Sequence, residues 1–190
     1  MTNPVDPSEY LRHAELIHSQ ETVDLAITAI AERLNLDYAL DYAIDPEYAN
    51  HPPVILSVMG GAVYFTGQLL SQLTFALELD YVQATRYHDN IEGGQVSWVM
   101  MPKESIINKN VLILDDILDE GITLKAVVDA CYARGARSVK VAVLADKLLC
   151  KTKPLSADYV GLTVPNRYVF GCGMDIYGWW RNLPAIYALK

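Results

Sequence analysis

Cysteine is scarce and unpaired in this sequence. Cys131, Cys150 and Cys172 are odd in number and have no CxxC spacing, which argues against a disulfide framework or a zinc site and leaves buried or incidental thiols as the expectation. Long apolar runs are missing too. None approaches the roughly 20 residues of a spanning helix, and the opening "MTNPVDPSEYLRH" lacks the basic-then-apolar order of a signal peptide. A cytoplasmic chain with no membrane partner is expected. Positive charge is the third shortage: 15 Lys and Arg stand against 23 Asp and Glu, a net charge of −8. Polyanions are bound mainly through clustered cations, so no nucleic-acid partner is expected. A phosphorylated ligand must then be small and met locally, by backbone amides or a metal. Repeats and low-complexity linkers are also missing. With 52% hydrophobic residues over 190 positions, one folding unit covering 1–190 is the simplest organisation.

What is present alternates between two periods. "DPSE" at 6–9 supplies an N-cap, a proline at the first helical position and an acid in the first turn. In "SQETVDLAITAIAERLNL" the residues Val23, Ile27, Ile30 and Leu34 recur at helical spacing, with Ser19 as cap. After "DPEYANHPP" the pattern changes to continuous apolar runs. "VILSVM" (54–59) reads as a buried strand, Gly60 and Gly61 as a turn, and "AVYFTGQLLSQL" as a helix. "LDYVQATRY" and "QVSWVMM" read as strands around the polar, glycine-bearing "HDNIEGG", a candidate hairpin loop. "NVLIL", "TLKAVVDACYARG" and "VKVAVLAD" then repeat strand, helix, strand, with Gly135 as helix stop. The fold class predicted is α/β, a mostly parallel twisted sheet flanked by helices, with ligands at the carboxyl ends of the strands. The aromatic, glycine-rich tail from about 155 to 190, with the N-terminal segment, is expected to form a small subdomain capping the sheet.

The chemistry concentrates in "VLILDDILDEGITL", residues 111–124. Asp115 and Asp116 follow a buried strand, where successive side chains point to opposite faces, so the two carboxylates need not crowd each other. The "DEGIT" turn then leads into a helix N-terminus, whose unpaired N–H groups favour an anion such as phosphate. Gly121 supplies conformational freedom and Thr123 a hydroxyl donor. Carboxylates beside a phosphate cradle suit a ligand with sugar hydroxyls next to a phosphate. The stretch is neither a Walker loop nor a dinucleotide fingerprint. The plainer reading is a solvated strand end with one acid capping the helix.

This stretch resembles the phosphoribosyl-pyrophosphate (PRPP) motif of type I phosphoribosyltransferases. From about Val54 onward the chain is similar to the hypoxanthine-guanine branch of that family. The resemblance implies the type I fold with a hood, magnesium as cofactor, PRPP and a 6-oxopurine base as small-molecule partners, and a homodimer or homotetramer. It implies that Asp115 and Asp116 hold the ribose hydroxyls and that Asp119 is the general base near purine N7. The loop of Asp119, Glu120, Gly121, Ile122 and Thr123 would bind the 5′-phosphate. "VMGG" matches the pyrophosphate loop (Met59, Gly60, Gly61), with a non-proline cis bond between Met59 and Gly60. Lys147 falls on the reader of the purine 6-oxo group, Tyr168 on the stacking aromatic, Val169 on a backbone contact to the base, and Asp175 on a purine-site acid. Metal ligands implied are Asp175, Asp115 and Asp116, and Arg181 is the pyrophosphate arginine. "RYHDNIEGGQVSW" corresponds to a flexible loop rooted at Arg86 and Tyr87.

Each residue also has a plainer role. Lys147 could be a strand-end surface lysine, Arg86 and Arg181 could pair with surface acids, and Trp179 and Trp180 are expected to pack. His88 and Asp89 form a metal pair only superficially, since a third ligand is missing. Three positions depart from the family pattern. Glu120 stands where Ser or Thr is frequent, Ile122 where Lys is frequent, and Met59 where Lys is common. The activity implied is transfer of the phosphoribosyl group to N9 of hypoxanthine or guanine. Alternatives are a xanthine-preferring transferase or a nucleotide-sensing regulator on the same fold.

Overall fold

The computed structural model describes residues 6–44, 51–86 (Arg86 by its backbone alone) and 96–190. Tyr87, His88 and Asp89, assigned by sequence to the flexible loop, lie outside the described residues. The elements are α1 (Pro7–Arg12), β1 (Ala14–His18), α2 (Gln20–Ile44), β2 (Val54–Met59), α3 (Val63–Leu70), β3 (Glu78–Arg86), β4 (Val96–Met100), a 3₁₀ turn (Glu104–Ile106), β5 (Asn110–Leu118), α4 (Ile122–Ala133), β6 (Ser138–Lys147), β7 (Tyr159–Val164), β8 (Val169–Phe170) and β9 (Ile186–Leu189).

The apolar runs become strands buried on both faces. The main sheet has the order β4-β3-β2-β5-β6-β7, with every pairing parallel except the antiparallel β3–β4 edge. Alternate residues feed two cores. Ile55, Leu112, Leu114, Ala142 and Leu144 meet Val23, Ile27, Ile30 and Leu34 of α2 and Phe65 and Leu69 of α3. Val54, Leu56, Val58, Val111, Ile113, Val141 and Val143 meet Leu124, Val127 and Cys131 of α4 on the other face. Fully burying one such aliphatic side chain contributes about 1.5 to 3 kcal/mol, so these layers fix where the strand ends lie.

Two helix starts follow their caps. Asp6 accepts the Ser8 N–H at 2.9 Å, with Pro7 at the first helical position, and Ser19 Oγ accepts the Thr22 N–H at 3.2 Å. Helix α2 continues past Leu36 to Ile44. The continuation is held by Tyr38, buried and stacked on Phe75 with centroids 4.4 Å apart.

The hood is a three-stranded antiparallel sheet, β1-β9-β8. Strand β1 has no signature in the sequence, because its five residues are only partly buried or exposed and its partner β9 is far along the chain. Strand β7, within the tail assigned to the hood, belongs to the main sheet. Among the described residues no helix is long and apolar enough to cross a membrane.

Candidate active site

The carboxyl ends of β2, β5 and β6 open on a cavity of about 920 Å³. It is lined by Met59, Gly60 and Gly61, by Asp115 through Thr123, and by Lys147, Tyr168 and Arg181. A second cavity of about 230 Å³ shares Asp116, Asp119, Lys147 and Tyr168 and adds Val169 and Asp175. The residues assigned by sequence to ribose, phosphate, pyrophosphate and purine contacts therefore gather around these two spaces, whereas Trp179 and Trp180 line neither.

Strand β5 runs to Leu118, four residues past "NVLIL", because Asp115, Ile117 and Leu118 stay paired with β6. The acid pair thus sits inside a strand. The two acids are not independent: the Asp116 N–H donates to Asp115 Oδ1 at 3.0 Å. Burial, and then the Asp116 charge, push the Asp115 carboxyl well above the ordinary range. Asp116 is also raised by burial, against hydrogen bonds from Asp115 and the Ile117 N–H and against the charge of Arg181. Gly61 makes room for this pair. A Cβ there would lie 1.9 Å from Asp116 Oδ2. The Met59–Gly60 peptide is cis. Gly173 rests directly on the same loop, since a Cβ on it would lie 2.0 Å from the Gly61 carbonyl oxygen.

The geometry of the 119–123 turn follows from Gly121, whose φ of 78° is left-handed. It opens α4, whose first N–H groups have no intrahelical acceptor. The β6–β7 connection braces this loop from outside. Lys153 donates to the Leu118 carbonyl at 2.6 Å and also pairs with Asp146. Lys151 pairs with Glu120. The departure at Glu120 thus comes with its own counter-ion, and Lys151 lines the larger cavity. Sequence reasoning missed both lysines, although "KTKP" after "DKLLC" concentrates positive charge just past the site.

At the junction of the two cavities Lys147 Nζ donates to Asp119 Oδ2 at 2.5 Å. Lys147 is 12% exposed and Asp119 46%, so a nearly buried ammonium faces a carboxylate open to the cleft. Tyr168, which lines both cavities with them, is half exposed. Arg181 is tied to Asp175 at 2.6 Å and donates to the Gly173 carbonyl at 2.7 Å. Asp175 also accepts the Gly178 N–H at 2.7 Å. Trp180 packs as expected, donating its indole N–H to the Pro7 carbonyl at 2.7 Å. Trp179 departs from that expectation and is half exposed.

This arrangement has relatives. The phosphoribosyl transferase domain profile matches residues 14–177. The chain belongs to the phosphoribosyltransferase family. Among curated relatives of this phosphoribosyltransferase, the bifunctional protein TilS/HprT of Listeria innocua is 37% identical over 145 residues, covering 76% of this chain and 22% of that protein. The chain thus spans about a fifth of the length of those bifunctional relatives. The hypoxanthine-guanine phosphoribosyltransferase of Staphylococcus epidermidis is 34% identical, covering 77% of this chain and 83% of the relative. Among solved structures, a hypoxanthine phosphoribosyltransferase of Staphylococcus aureus superposes with a TM-score of 0.78 at 26% identity, over 100% of this chain and 97% of that one. The six-stranded sheet with its hood is the type I phosphoribosyltransferase fold.

The thiols of this phosphoribosyltransferase divide by burial. Burial pushes Cys131 up to about 12 and Cys172 likewise up to about 12. Cys150, beside the cavity-lining Leu149 and Lys151, is exposed. Because the thiolate is the reactive form, iodoacetamide at neutral pH is expected to modify Cys150 alone in the native protein. Peptide mass mapping checks this. Equal labelling of Cys131 would contradict the packing described.

Proposed function

We propose that this phosphoribosyltransferase acts in purine salvage, moving the 5-phosphoribosyl group of PRPP to N9 of hypoxanthine or guanine. The C–O bond to pyrophosphate breaks, the C–N bond to the purine forms, and IMP or GMP leaves with pyrophosphate. The observation that carries this reading is the Lys147–Asp119 pair with Tyr168 where the two cavities join. An ammonium donor, a carboxylate acceptor and an aromatic face are the complement of a flat base with a 6-oxo group and a titrating N7. In this reading the base displaces the pair's mutual contact, Lys147 turning to the 6-oxo group and Asp119 to the N7 proton. Val169 lies beside the base with its backbone toward it.

Below the base, Asp115 and Asp116 hold the ribose hydroxyls. The Asp119–Thr123 loop receives the 5′-phosphate through its backbone N–H groups and Thr123, with the Glu120 charge met by Lys151 at the cavity wall. Met59, Gly60, Gly61 and Arg181 take the pyrophosphate. Electrostatic positioning of this kind supplies most of the acceleration when charge develops on a leaving group. The donor set suits magnesium, a hard cation that takes one or two carboxylates plus substrate phosphate oxygens. Burial disfavours the ionised forms of Asp115 and Asp116, which a cation beside them would offset. Asp175 is held by Arg181 and the Gly178 N–H, and among the described residues no three such side chains cluster to hold a metal, so the ion would rest largely on substrate oxygens. When bound, magnesium neutralises charge on the pyrophosphate oxygens.

We also propose a single domain over 1–190. Supporting it, hood residues Val169, Ile186 and Ala188 share one core with Val23, Ile55 and Leu112. A homodimer or homotetramer is proposed on the exposed apolar side chains Leu79, Tyr81 and Val99 along the β3–β4 edge. The function is tested by supplying PRPP, magnesium and one 6-oxopurine and following pyrophosphate. Release that depends on the purine and stops on chelation is expected. Release without purine, or none with any 6-oxopurine, would remove the transferase reading and favour the nucleotide sensor.

A further inference from the structure

We propose that Tyr177 and Tyr10 are positioning residues for Tyr168, Tyr177 stacking on it and Tyr10 bracing Tyr177 at a tilt of 40°, a line of three rings that sets the pose of the bound purine. The proposal rests on the transferase reading above, because it requires Tyr168 to stack on the base.

Two observations meet here. Tyr168 lines both cavities, whereas Tyr177 lines neither. The Tyr177 ring nevertheless lies nearly parallel to Tyr168, at 17° with centroids 6.2 Å apart, within the range of offset aromatic pairs. Tyr168 is thus braced by a ring that stands outside both cavities.

Tyr177 in turn sits on a tight turn that leaves its side chain little freedom of approach. Ile176 and Trp179 exchange backbone hydrogen bonds at 3.0 and 2.9 Å, and the Gly178 N–H is fixed by Asp175. Tyr177 itself has a left-handed φ of 51°, which is uncommon for a bulky residue. Its ring is 68% exposed, so core filling does not account for an aromatic at this position. Contact with other rings does. Tyr10 of α1 packs against it with centroids 5.4 Å apart. Helix α1 buries none of its residues, yet Trp180 ties it down through the Pro7 carbonyl. A peripheral helix is thereby connected, ring by ring, to the wall of the base site.

The test compares Tyr177→Ala, Tyr177→Phe and Tyr10→Ala with the wild type, measuring KM for hypoxanthine, KM for PRPP, kcat and Tm. Tyr177→Ala is expected to raise the hypoxanthine KM about three- to tenfold, the worth of one aromatic pair, with the PRPP KM and kcat nearly unchanged. Tyr177→Phe should restore the wild-type KM, and Tyr10→Ala should move it less and in the same direction. If Tyr177→Ala does not fold, Tyr10→Ala decides. An unchanged hypoxanthine KM in the folded alanine variants, or an equal rise in both KM values, would overturn the clamp and leave a purely structural contact. Failure of the wild type to turn over any purine would instead sink the transferase reading.

Discussion

Asp119→Asn is expected to lower turnover with hypoxanthine about 100- to 10,000-fold, the usual worth of a positioned general base. The amide keeps the shape and still accepts a hydrogen bond, but it cannot take a proton from N7. PRPP affinity should stay within a factor of about two, because the sugar and phosphate contacts belong to Asp115, Asp116 and the Gly121 turn rather than to this carboxylate. Asp119 is half exposed, so the fold should not depend on it. Steady-state kinetics with titration of PRPP binding separates the two effects. Unchanged turnover would remove Asp119 from the role of base.

Gly61→Ala is expected to be nearly as damaging by a different route. The added methyl would fall 1.9 Å from Asp116 Oδ2 and 2.5 Å from its Cγ, distances at which something must move. Asp116 has little room to yield, being 9% exposed and holding the Ile117 N–H at 2.7 Å. The other side of the loop is blocked by Gly173, whose backbone approaches the Gly61 carbonyl. Either the acid pair or the pyrophosphate loop must shift, and a displacement of about 1 Å in positioning groups costs on the order of 100-fold. The loss should fall on kcat/KM for PRPP, with Tm lowered by overpacking. A variant with wild-type kcat/KM for PRPP would mean that the loop and the acid pair are not coupled.

The parts of this molecule legible in the sequence were those encoded locally. Val23, Ile27, Ile30 and Leu34 were readable as one helix face because their spacing is set within a few turns, and all four are buried. The "VILSVM" and "NVLIL" runs declared buried strands for the same reason. The order of residues around "DDILDEG" carried the candidate site, since one strand exit and one turn bring Asp115 through Thr123 to a single cavity. What was not legible depended on partners distant in sequence. Strand β1 is defined by β9, and the extension of β5 through two aspartates is imposed by pairing with β6. Alternation along a strand suggested that Asp115 and Asp116 act separately, but burial makes each carboxyl feel the other. Glu120 looked anomalous until Lys151 met it from the β6–β7 connection. The ring contact of Tyr10 with Tyr177 joins opposite ends of the chain.

The central claim is that Lys147 and Asp119 together read a 6-oxopurine. It is tested most directly by the initial rate of nucleotide formation from PRPP and magnesium with hypoxanthine, guanine, xanthine and adenine offered separately, products being identified by chromatography. Hypoxanthine or guanine should yield IMP or GMP while adenine stays at background, because a 6-amino group offers the Lys147 ammonium no carbonyl acceptor. Conversion of adenine at a comparable rate would contradict it.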